Sequence, residues 1–250
     1  MSRTIALLVA RLGSSRLPRK ALLPMAGKSM LERLLERTRR ARLIDEVAVA
    51  TTTLPEDAEL STFAESRGIR CFRGSPDNVS LRMAQAAEAL GADTVVELLG
   101  DNPLIHADLI DAVLSLRRER DSDYAASVSA EYKHLHEARR FPVGVRVQAY
   151  KASAAKRWAE FPEYLTRDLG TTAFMFMNSR LFRCDYLQAE GPWAAAHAPD
   201  QNFAVNYRRN FDLVERIFSD LLPGDENFGV PAAVAWARAH PDSAEGMGNS

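Results

Sequence analysis

The segment from Ile5 to Lys20 reads IALLVARLGSSRLPRK, and it indicates both the fold and the place of a functional site. Its first six residues, 5–10, are continuously apolar and end at a segment that contains a glycine and several polar residues. A short apolar run of this kind is typical of a strand that is buried on both faces. The residues that follow, 11–20, are rich in cations and hydroxyls, and they predict a functional loop at the carboxyl end of that strand.

The rest of the first half alternates between predicted strands and predicted helices. The helix over 29–43 carries Met30, Leu31, Leu34 and Leu35 on one stripe, with charged residues on the remaining faces. Such alternation favours an α/β fold: a mostly parallel central sheet with helices on both faces and a ligand site beyond the carboxyl ends of the strands. The other predicted strands are 47–51, 69–72, 94–99 and 124–128, and the other predicted helices are 54–68, 78–90 and 107–118.

The second half departs from this alternation. We expect a single domain over 1–250 in which about 130–201 form an inserted, smaller subdomain. Apolar residues alternate with others over 143–149, a pattern typical of a half-buried strand. The remaining predictions are strands over 172–177 and 203–207, a helical stretch around Trp158, a loop or interaction surface over 190–202 and an amphipathic helix over 211–222.

Composition excludes several classes of protein. The chain has 250 residues, and its 32 Lys and Arg against 33 Asp and Glu give a formal net charge of −1, which argues against broad capture of nucleic acid or anionic lipid. The apolar run near the N-terminus is far shorter than the ~20 residues of a membrane span, and it lacks the features of a secretory signal. Cys71 and Cys184 are too few and too far apart for a disulfide framework. We therefore expect a cytoplasmic globular protein that binds neither membrane nor nucleic acid.

The loop over 11–20 has the composition of a polyphosphate site. It contains four cations, two serines and Gly13. Backbone N–H groups near a glycine, hydroxyl donors and Arg or Lys side chains together bind the non-bridging oxygens of phosphates. Neither the Walker motif nor G-x-G-x-x-G is present, so the loop is not one of the common nucleotide fingerprints. The alternative interpretation is a solvated basic turn.

From Val9 to Leu31 the sequence resembles the opening of the cytidylyltransferases that make CMP-activated acidic sugars. The matching positions are V-A-R-x-x-S-S-R-L-P-x-K over 9–20 and L-P-x-x-G-K-x-M-L over 23–31. The branch it resembles is the SpsF-like spore-coat polysaccharide family, relatives of the CMP-Kdo and CMP-sialate synthetases. The resemblance implies a Rossmann-like, GT-A-like nucleotidyltransferase fold. It also implies Mg²⁺-dependent transfer of CMP from CTP to a small acidic or modified sugar, in surface polysaccharide or glycoconjugate biosynthesis.

The same resemblance assigns roles within the loop. It implies that Arg11, Ser14 and Arg16 hold the triphosphate of CTP. Lys20 would stabilise the charge that builds up on the departing pyrophosphate, which makes Arg16 and Lys20 predicted catalytic residues. The other predicted nucleotide-binding residues of the loop are Ala10, Gly13 and Ser15.

A second motif, F-R-G-S-P-D-N-V-x-x-R over 72–82, resembles the family segment that contributes to nucleotide binding. Ser75, Asn78 and Arg82 are the candidates for contacts to the base or ribose. Two of them have an equally good structural interpretation, because Asn78 is a favourable helix N-cap and Arg82 could lie on a solvated helix face. The sequence does not choose between the two interpretations.

A third motif, L-L-G-D-N-P-L-I over 98–105, follows a predicted central strand. Asp101 matches the family position for a carboxylate that holds Mg²⁺ on the α-phosphate, and it completes the predicted catalytic set. Mg²⁺ keeps several waters, so that one or two carboxylates and phosphate oxygens suffice as its other ligands. The alternative is that Asp101 caps a turn before Pro103.

The second half differs from the family pattern at several positions. Gln148 stands where an acid is expected, and E-Y-L-T over 163–166 stands where the family has Glu-His-x-Thr. Asn206 occupies the place of an aspartate that would be a second metal ligand. An amide oxygen can coordinate Mg²⁺ but adds no charge, so Asn206 is a weak metal candidate. The predicted acceptor-binding residues are Arg139, Arg140, Gln148 and Glu163.

His134 and His136 could share one face of a strand and bind a metal, but no third ligand stands at a defined spacing. We predict instead that they belong to a polar loop at the edge of the acceptor pocket. We also predict that Trp158 and Trp193 are core or subunit contacts rather than sugar-stacking platforms.

Three functions remain open on the sequence. The first is a cytidylyltransferase, and the second is a nucleotide-binding scaffold that has lost transfer activity, an alternative that Asn206 motivates. The third is a glycosyltransferase on the same fold, since fold does not fix function. The resemblance also implies a homodimer whose inserted subdomain reaches the partner's active site.

Overall fold

Strands and helices alternate through the first half of the chain, and shorter elements make up the second. The computed structural model describes residues 2–159 and 173–244. Its strands are β1 Thr4–Val9, β2 Pro24–Met25, β3 Lys28–Ser29, β4 Glu46–Thr52, β5 Arg70–Gly74, β6 Thr94–Leu99, β7 Tyr124–Ser127, β8 Gln148–Lys151 and β9 Cys184–Leu187. Its α-helices are α1 Met30–Arg39, α2 Ala58–Ser66, α3 Val79–Leu90, α4 Ala107–Arg120, α5 Ala152–Ala159, α6 Ala173–Met177, α7 Arg208–Leu221, α8 Val230–Ala239 and α9 Pro241–Ala244.

Seven of the described strands form one sheet, in the order β5-β4-β1-β6-β8-β7-β9. β8 runs antiparallel to its neighbours β6 and β7, and the other pairings of this sheet are parallel. β2 and β3 pair with each other as a small hairpin. The predicted α/β class with a mostly parallel sheet is confirmed. Because β1 and β6 are parallel neighbours, the loops that follow them leave the same edge of the sheet.

Two hydrophobic cores cover the two faces of the sheet. Ala6 and Leu8 of β1 belong to the core that includes residues of α1, α4, α7 and α8. Ile5 and Leu7 belong to the core that includes residues of α3 and α5. A strand covered on both faces gains by burying every side chain, which is why β1 is a continuous apolar run rather than an alternating one. Within the described ranges no helix is long and apolar enough to cross a lipid bilayer.

The helix predicted over 29–43 ends four residues early, at Arg39. The carboxylate of Asp111 on α4 accepts hydrogen bonds from the backbone N–H groups of Arg42 at 3.1 Å and Leu43 at 3.0 Å. Those two N–H groups would otherwise bond to carbonyls one turn earlier and continue the helix. A side chain from another helix therefore ends α1, and no local signal in 29–43 shows this.

The strand predicted over 143–149 is wrong in its bounds, because only residues from Gln148 onward pair as β8. Gly144 has φ of 92°, and a Cβ built on it would lie 2.2 Å from the backbone N of Ala204. The chain therefore turns at this glycine and packs directly on another backbone segment. The strand predicted over 203–207 is also wrong, since only a single bridge between Val143 and Asn202 forms there.

The strand predicted over 172–177 is wrong as well, because 173–177 form the helix α6. A short apolar run fits a buried helix and a buried strand equally well, and only tertiary packing decides between them. The segment predicted as a loop over 190–202 contains a 3₁₀ helix at Gly191–Ala196. Trp158 is buried in the core, and Trp193 packs edge-on against Phe141.

Candidate functional site

A cavity of about 550 Å³ lies at the carboxyl ends of β1 and β6. Eight of the predicted site residues meet there, from three separate parts of the chain: Ala10, Arg11, Ser14, Ser15, Arg16, Lys20, Arg82 and Asp101. Five of the lining side chains are cationic and two, Asp77 and Asp101, are carboxylates. The cavity is therefore suited to a polyanion of several negative charges.

A buried carboxylate fixes the shape of the loop over 11–20. Asp57 Oδ1 accepts a hydrogen bond from the N–H of Leu12 at 2.7 Å, and its Oδ2 accepts from the hydroxyl of Thr52. Asp57 is fully buried at the end of the 3₁₀ helix Pro55–Asp57. The N–H groups of Ser14 and Arg19 then both donate to the carbonyl of Leu12, which folds the loop back on itself. Sequence reasoning missed this role, because Asp57 looks like an ordinary acid in a first helical turn.

The cations of the loop over 11–20 lie on two different sides of it. Arg11, Arg16 and Lys20 line the cavity, whereas Arg19 forms an exposed ion pair with Glu59 at 2.6 Å. Gly13 lies at the exposed part of the loop and outside the cavity lining. Ser14 lines the cavity, and its hydroxyl accepts a long hydrogen bond, 3.4 Å, from the N–H of Leu17. The loop thus presents cations and hydroxyls on one side and turns Arg19 away.

Lys20 is the centre of a compact polar cluster with Asp101 and Asn206. Its Nζ donates to Asp101 Oδ2 at 2.8 Å, to the carbonyl of Val205 at 2.8 Å and to Asn206 Oδ1 at 3.4 Å. Arg16 Nη2 donates to the same Asn206 Oδ1 at 3.0 Å. The amide oxygen of Asn206 therefore faces two cations. This contact joins residues that are more than 180 positions apart in the sequence.

Two backbone contacts hold Asp101 and Asn206 at this point. The N–H of Val205 donates to the carbonyl of Asp101 at 2.8 Å, which ties the two segments together. Gly100 donates its N–H to the carbonyl of Val9, and a Cβ on it would lie 2.9 Å from that oxygen. A glycine is needed there because the loop after β6 packs directly on the end of β1.

The described residues offer oxygen ligands for a divalent cation but form no preformed metal centre. Over the part of the chain that the structure describes, no group of three His, Cys, Asp or Glu side chains could hold a metal ion. Asp101 offers one carboxylate with an amide oxygen nearby, and both oxygens bond to Lys20. Mg²⁺ commonly binds through one or two carboxylates together with substrate phosphates, and the oxygens of Asp101 and Asn206 are compatible with such a site.

Of the three candidate residues in the second motif, one lines the cavity and two stabilise the local backbone. Arg82 lines the cavity and donates from Nη1 to the carbonyl of Ser75 at 2.6 Å, and burial lowers its pKa. Asn78 is the N-cap of α3, because its Oδ1 accepts from the N–H of Leu81 at 2.8 Å. The hydroxyl of Ser75 accepts from the N–H of Asn78. The structural interpretation of Asn78 is thus confirmed, and neither it nor Ser75 lines the cavity.

Arg146 lines the cavity although the sequence did not single it out. Its side chain is 12% exposed and pairs with Glu131 at 3.2 Å. Burial disfavours the charge, but neighbouring groups, the carboxylate of Glu131 first among them, outweigh it and raise the pKa of Arg146 above its usual value. A permanently charged guanidinium is thereby held at the cavity wall. The predicted alternating strand over 143–149 placed Arg146 on the solvent-facing side, so it was not identified from the sequence as a site residue.

The predicted acceptor-binding residues do not join the cavity lining within the described part of the chain. Gln148 is fully buried on β8, where its Oε1 accepts from the hydroxyl of Tyr124 at 2.9 Å. Arg140 donates to the carbonyl of Leu135, and Arg139 donates weakly to that of Ala189. Glu163 lies outside the described residues.

His134 packs on aromatic rings rather than beside other metal ligands. It stacks on Phe176 with ring centroids 5.4 Å apart and contacts Tyr186 edge-on. Burial lowers its pKa, and neighbouring His136 lowers it further. His134 lies in a turn, as predicted, and its predicted place at the edge of an acceptor pocket stays a prediction.

The chain is similar to proteins of known sequence and structure over most of its length. The sequence model of a family described as cytidylyltransferase matches residues 5–160. The spore coat polysaccharide biosynthesis protein SpsF of Bacillus subtilis is 24% identical over 226 residues, which is 87% of each chain. A 3-deoxy-manno-octulosonate cytidylyltransferase of Geobacter sulfurreducens is 34% identical over 134 residues, 53% of this chain and 52% of the relative. A solved cytidylyltransferase structure from Leptospira borgpetersenii has a TM-score of 0.86 at 20% identity, with 100% of both chains covered.

Proposed function

The chain belongs to the cytidylyltransferase family, and we propose that it transfers CMP from CTP to a sugar acid with release of pyrophosphate. The observation that carries the proposal is the cavity in which Arg16, Lys20 and Asp101 meet the loop after β1. The names of the relatives support the class of acceptor, since one makes a spore coat polysaccharide and the other acts on an eight-carbon sugar acid.

In the proposed reaction a sugar hydroxyl attacks the α-phosphorus of CTP. A new bond forms between the sugar oxygen and the α-phosphorus, and the hydroxyl proton is released to solvent. The bond between the α-phosphorus and the oxygen that bridges it to the β-phosphate breaks, and that oxygen leaves with pyrophosphate. The protein has little covalent work to do in such a transfer, so positioning and charge stabilisation supply most of the rate. Arg11, Arg16 and Lys20 would neutralise the negative charge that grows on the leaving group.

Lys20 is restrained for this role. Its three hydrogen bonds, to Asp101, Val205 and Asn206, hold the ammonium in one place before any substrate binds. A donor that is already oriented needs no reorganisation during the reaction, and removing one such donor typically costs about 10²–10³ in kcat. Asp101, with Asn206 beside it, would hold a Mg²⁺ ion, which when bound polarises the α-phosphate.

A pyrophosphate-release assay with CTP and a panel of sugar acids, 3-deoxy-manno-octulosonate among them, tests the proposal. UTP, GTP and ATP serve as the comparison nucleotides. We expect release with CTP, and a loss of at least about 10²-fold in Lys20→Ala and Asp101→Ala. Arg19→Ala is the matched control, because it removes a cation of the same loop that pairs with Glu59 outside the cavity. Full activity of Lys20→Ala would overturn the proposed chemistry.

The nucleotide-binding scaffold is the second candidate, and Asn206 favours it. The amide adds no charge, and its oxygen is already bonded to Arg16 and Lys20. Calorimetric titration with CTP, with and without Mg²⁺, separates the two functions. Binding that strengthens with Mg²⁺ supports the enzyme, whereas equal binding without Mg²⁺ and no pyrophosphate release with any acceptor supports the scaffold. Binding of nucleotide sugars but not of triphosphates would favour the glycosyltransferase alternative.

We further propose a cytoplasmic homodimer in which about 130–201 form the acceptor and dimerisation subdomain. Light scattering coupled to size-exclusion chromatography measures the mass directly. A particle of about 27.7 kDa would contradict the dimer.

A further inference from the structure

A second cavity, of about 450 Å³, lies between α1 and the end of α7 and shares no lining residue with the cavity of the candidate site. Three of its cations recur at helical spacing along one face: Arg33 and Arg37 on α1, and Arg40 at the C-cap of this helix. Lys28 from β3 is the fourth. The other lining residues are Glu36, Phe218, Leu222, Pro223 and Glu226.

Arg37 is a buried cation that has no carboxylate in ion-pair contact within residues 2–159 and 173–244. Arg37 is 3% exposed. Its Nε donates to the carbonyl of Ile105 and its Nη2 to the carbonyl of Phe228, each at 2.9 Å. Its Nη1 is buried and has no hydrogen-bond partner among the described residues. Burial, together with the neighbouring charge of Arg40, lowers the pKa of Arg37 to about 9, although the carboxylate of Asp225 offsets part of this effect. A buried charge that is paired only with neutral groups is costly, and an anion beside it would offset that cost.

The remaining cations leave the cavity positive. Lys28 and Arg33 both pair with the single carboxylate of Glu36, the Arg33 contact being 3.5 Å. Arg40 donates to two neutral oxygens, the carbonyl of Glu226 at 2.7 Å and Asn227 Oδ1 at 2.9 Å. Of the lining residues that the structure describes, four are cations and two, Glu36 and Glu226, are carboxylates, and the ion-pair contacts with these cations are those of Glu36.

We propose that this cavity is a binding site for a small phosphate-bearing anion. Guanidinium groups bind phosphate oxygens through paired N–H donors, and Arg37 and Arg40 reach the cavity from adjacent turns of α1. The volume lies within the range of small-molecule sites, roughly 300–1,000 Å³. Phe218 and Leu222 supply an apolar wall beside the cations.

The same arginines connect the cavity to the segments that carry the catalytic candidates. Arg33 donates to the carbonyls of Met25 and Ala26 in the β2–β3 hairpin. This hairpin follows a 3₁₀ helix at Lys20–Leu22, which begins with the catalytic candidate Lys20. Arg37 donates to Ile105 in the loop that follows Asp101. An anion held by these side chains therefore restrains both segments. We expect binding to raise Tm by roughly 5–10 °C at a ligand concentration near 100 Kd.

Calorimetric titration with inorganic phosphate, pyrophosphate and glucose 6-phosphate tests the proposal, and the three arms separate free phosphate from phosphate esters. Each is titrated both without CTP and with one equivalent of CTP per chain, which fills the candidate active site. We expect at least one to bind at one equivalent per chain, and Arg40→Glu to weaken that binding at least tenfold. Arg39→Glu is the matched control, because it makes the same charge change one residue away, where Arg39 contacts Arg67 outside the cavity.

Failure of all three anions to bind would overturn the proposal, and so would equal binding by Arg40→Glu and Arg39→Glu. Arg37→Gln is the more direct variant, but its three backbone contacts also support the fold. Lys28→Glu, on the hairpin, is therefore the second test, and we expect it to weaken binding as well. The Lys20→Ala variant should lose transfer and keep this binding, so the two proposals fail independently. If CTP does not bind, the comparison of Arg40→Glu with Arg39→Glu still tests whether the anion binds in this cavity.

Discussion

Replacing Asn206 with aspartate should convert a weak cation site into a stronger one. The new carboxylate would stand where the amide oxygen now lies, 3.0 Å from Arg16 Nη2 and 3.4 Å from Lys20 Nζ. Asp101 Oδ2 lies 2.8 Å from the same Lys20 nitrogen, so two carboxylates would share one ammonium. The second negative charge raises the local affinity for a divalent cation.

The magnitude follows from Coulomb's law with an effective dielectric constant. A divalent cation about 4 Å from a unit negative charge gains about 8 kcal/mol at an effective dielectric constant of 20, twice the value for two unit charges. Most of this is offset, because Arg16 and Lys20 already bond to the side chain at position 206 and would compete with the cation for the new carboxylate. We expect a net gain of about 1.4 kcal/mol in the free energy of cation binding. This corresponds to a tenfold decrease in the Mg²⁺ concentration for half-maximal activity.

The assay is a Mg²⁺ titration of pyrophosphate release at fixed CTP and acceptor, together with calorimetry of Mg²⁺ binding in the absence of nucleotide. Asn202→Asp is the control, because the side-chain oxygen of Asn202 accepts a hydrogen bond from the N–H of Ala204 and Asn202 lies outside the cavity lining. An unchanged or higher Mg²⁺ requirement in Asn206→Asp would refute a metal-binding role for position 206. Asn206 would then serve only to position the two cations that it contacts.

Three further predictions concern the scaffold of the site and the core. Asp57→Ala leaves the N–H of Leu12 unpaired and should cost roughly 3 kcal/mol of unfolding free energy and weaken CTP binding, as measured by urea denaturation and calorimetry. Gly144→Ala forces a Cβ to within 2.2 Å of the Ala204 backbone and should cost roughly 2–4 kcal/mol, visible as a lower Tm. Burial lowers the pKa of His106, so the unfolded chain binds more protons and stability should fall as the pH drops below about 6.5. Urea denaturation at pH 5.5 and 7.5 should show this loss in the native chain and a smaller one in His106→Gln.

Local patterns predicted the first half well because its elements carry their own signals. Asn78 marks the start of α3, and Gly91, with φ of 71°, marks its end. The composition of the loop over 11–20 indicates a phosphate site, whereas its individual residues were assigned from the family resemblance, and six of these, counting Ala10, line the cavity. In the second half the apolar runs were too short to distinguish a helix from a strand, and 173–177 formed a helix instead.

The α/β class, the position of the loop after β1 and the chemistry of its cations can all be read from the chain, since hydrophobic periodicity and residue type are local properties. Which of these cations face the cavity depends on the folded molecule, because Arg19 pairs with Glu59 while Lys20 bonds to Asp101. Folding also brings Asn206 to Lys20 and Arg146 to the cavity wall. Such contacts depend on strand order and backbone packing between residues far apart in the chain, and no sequence window contains them.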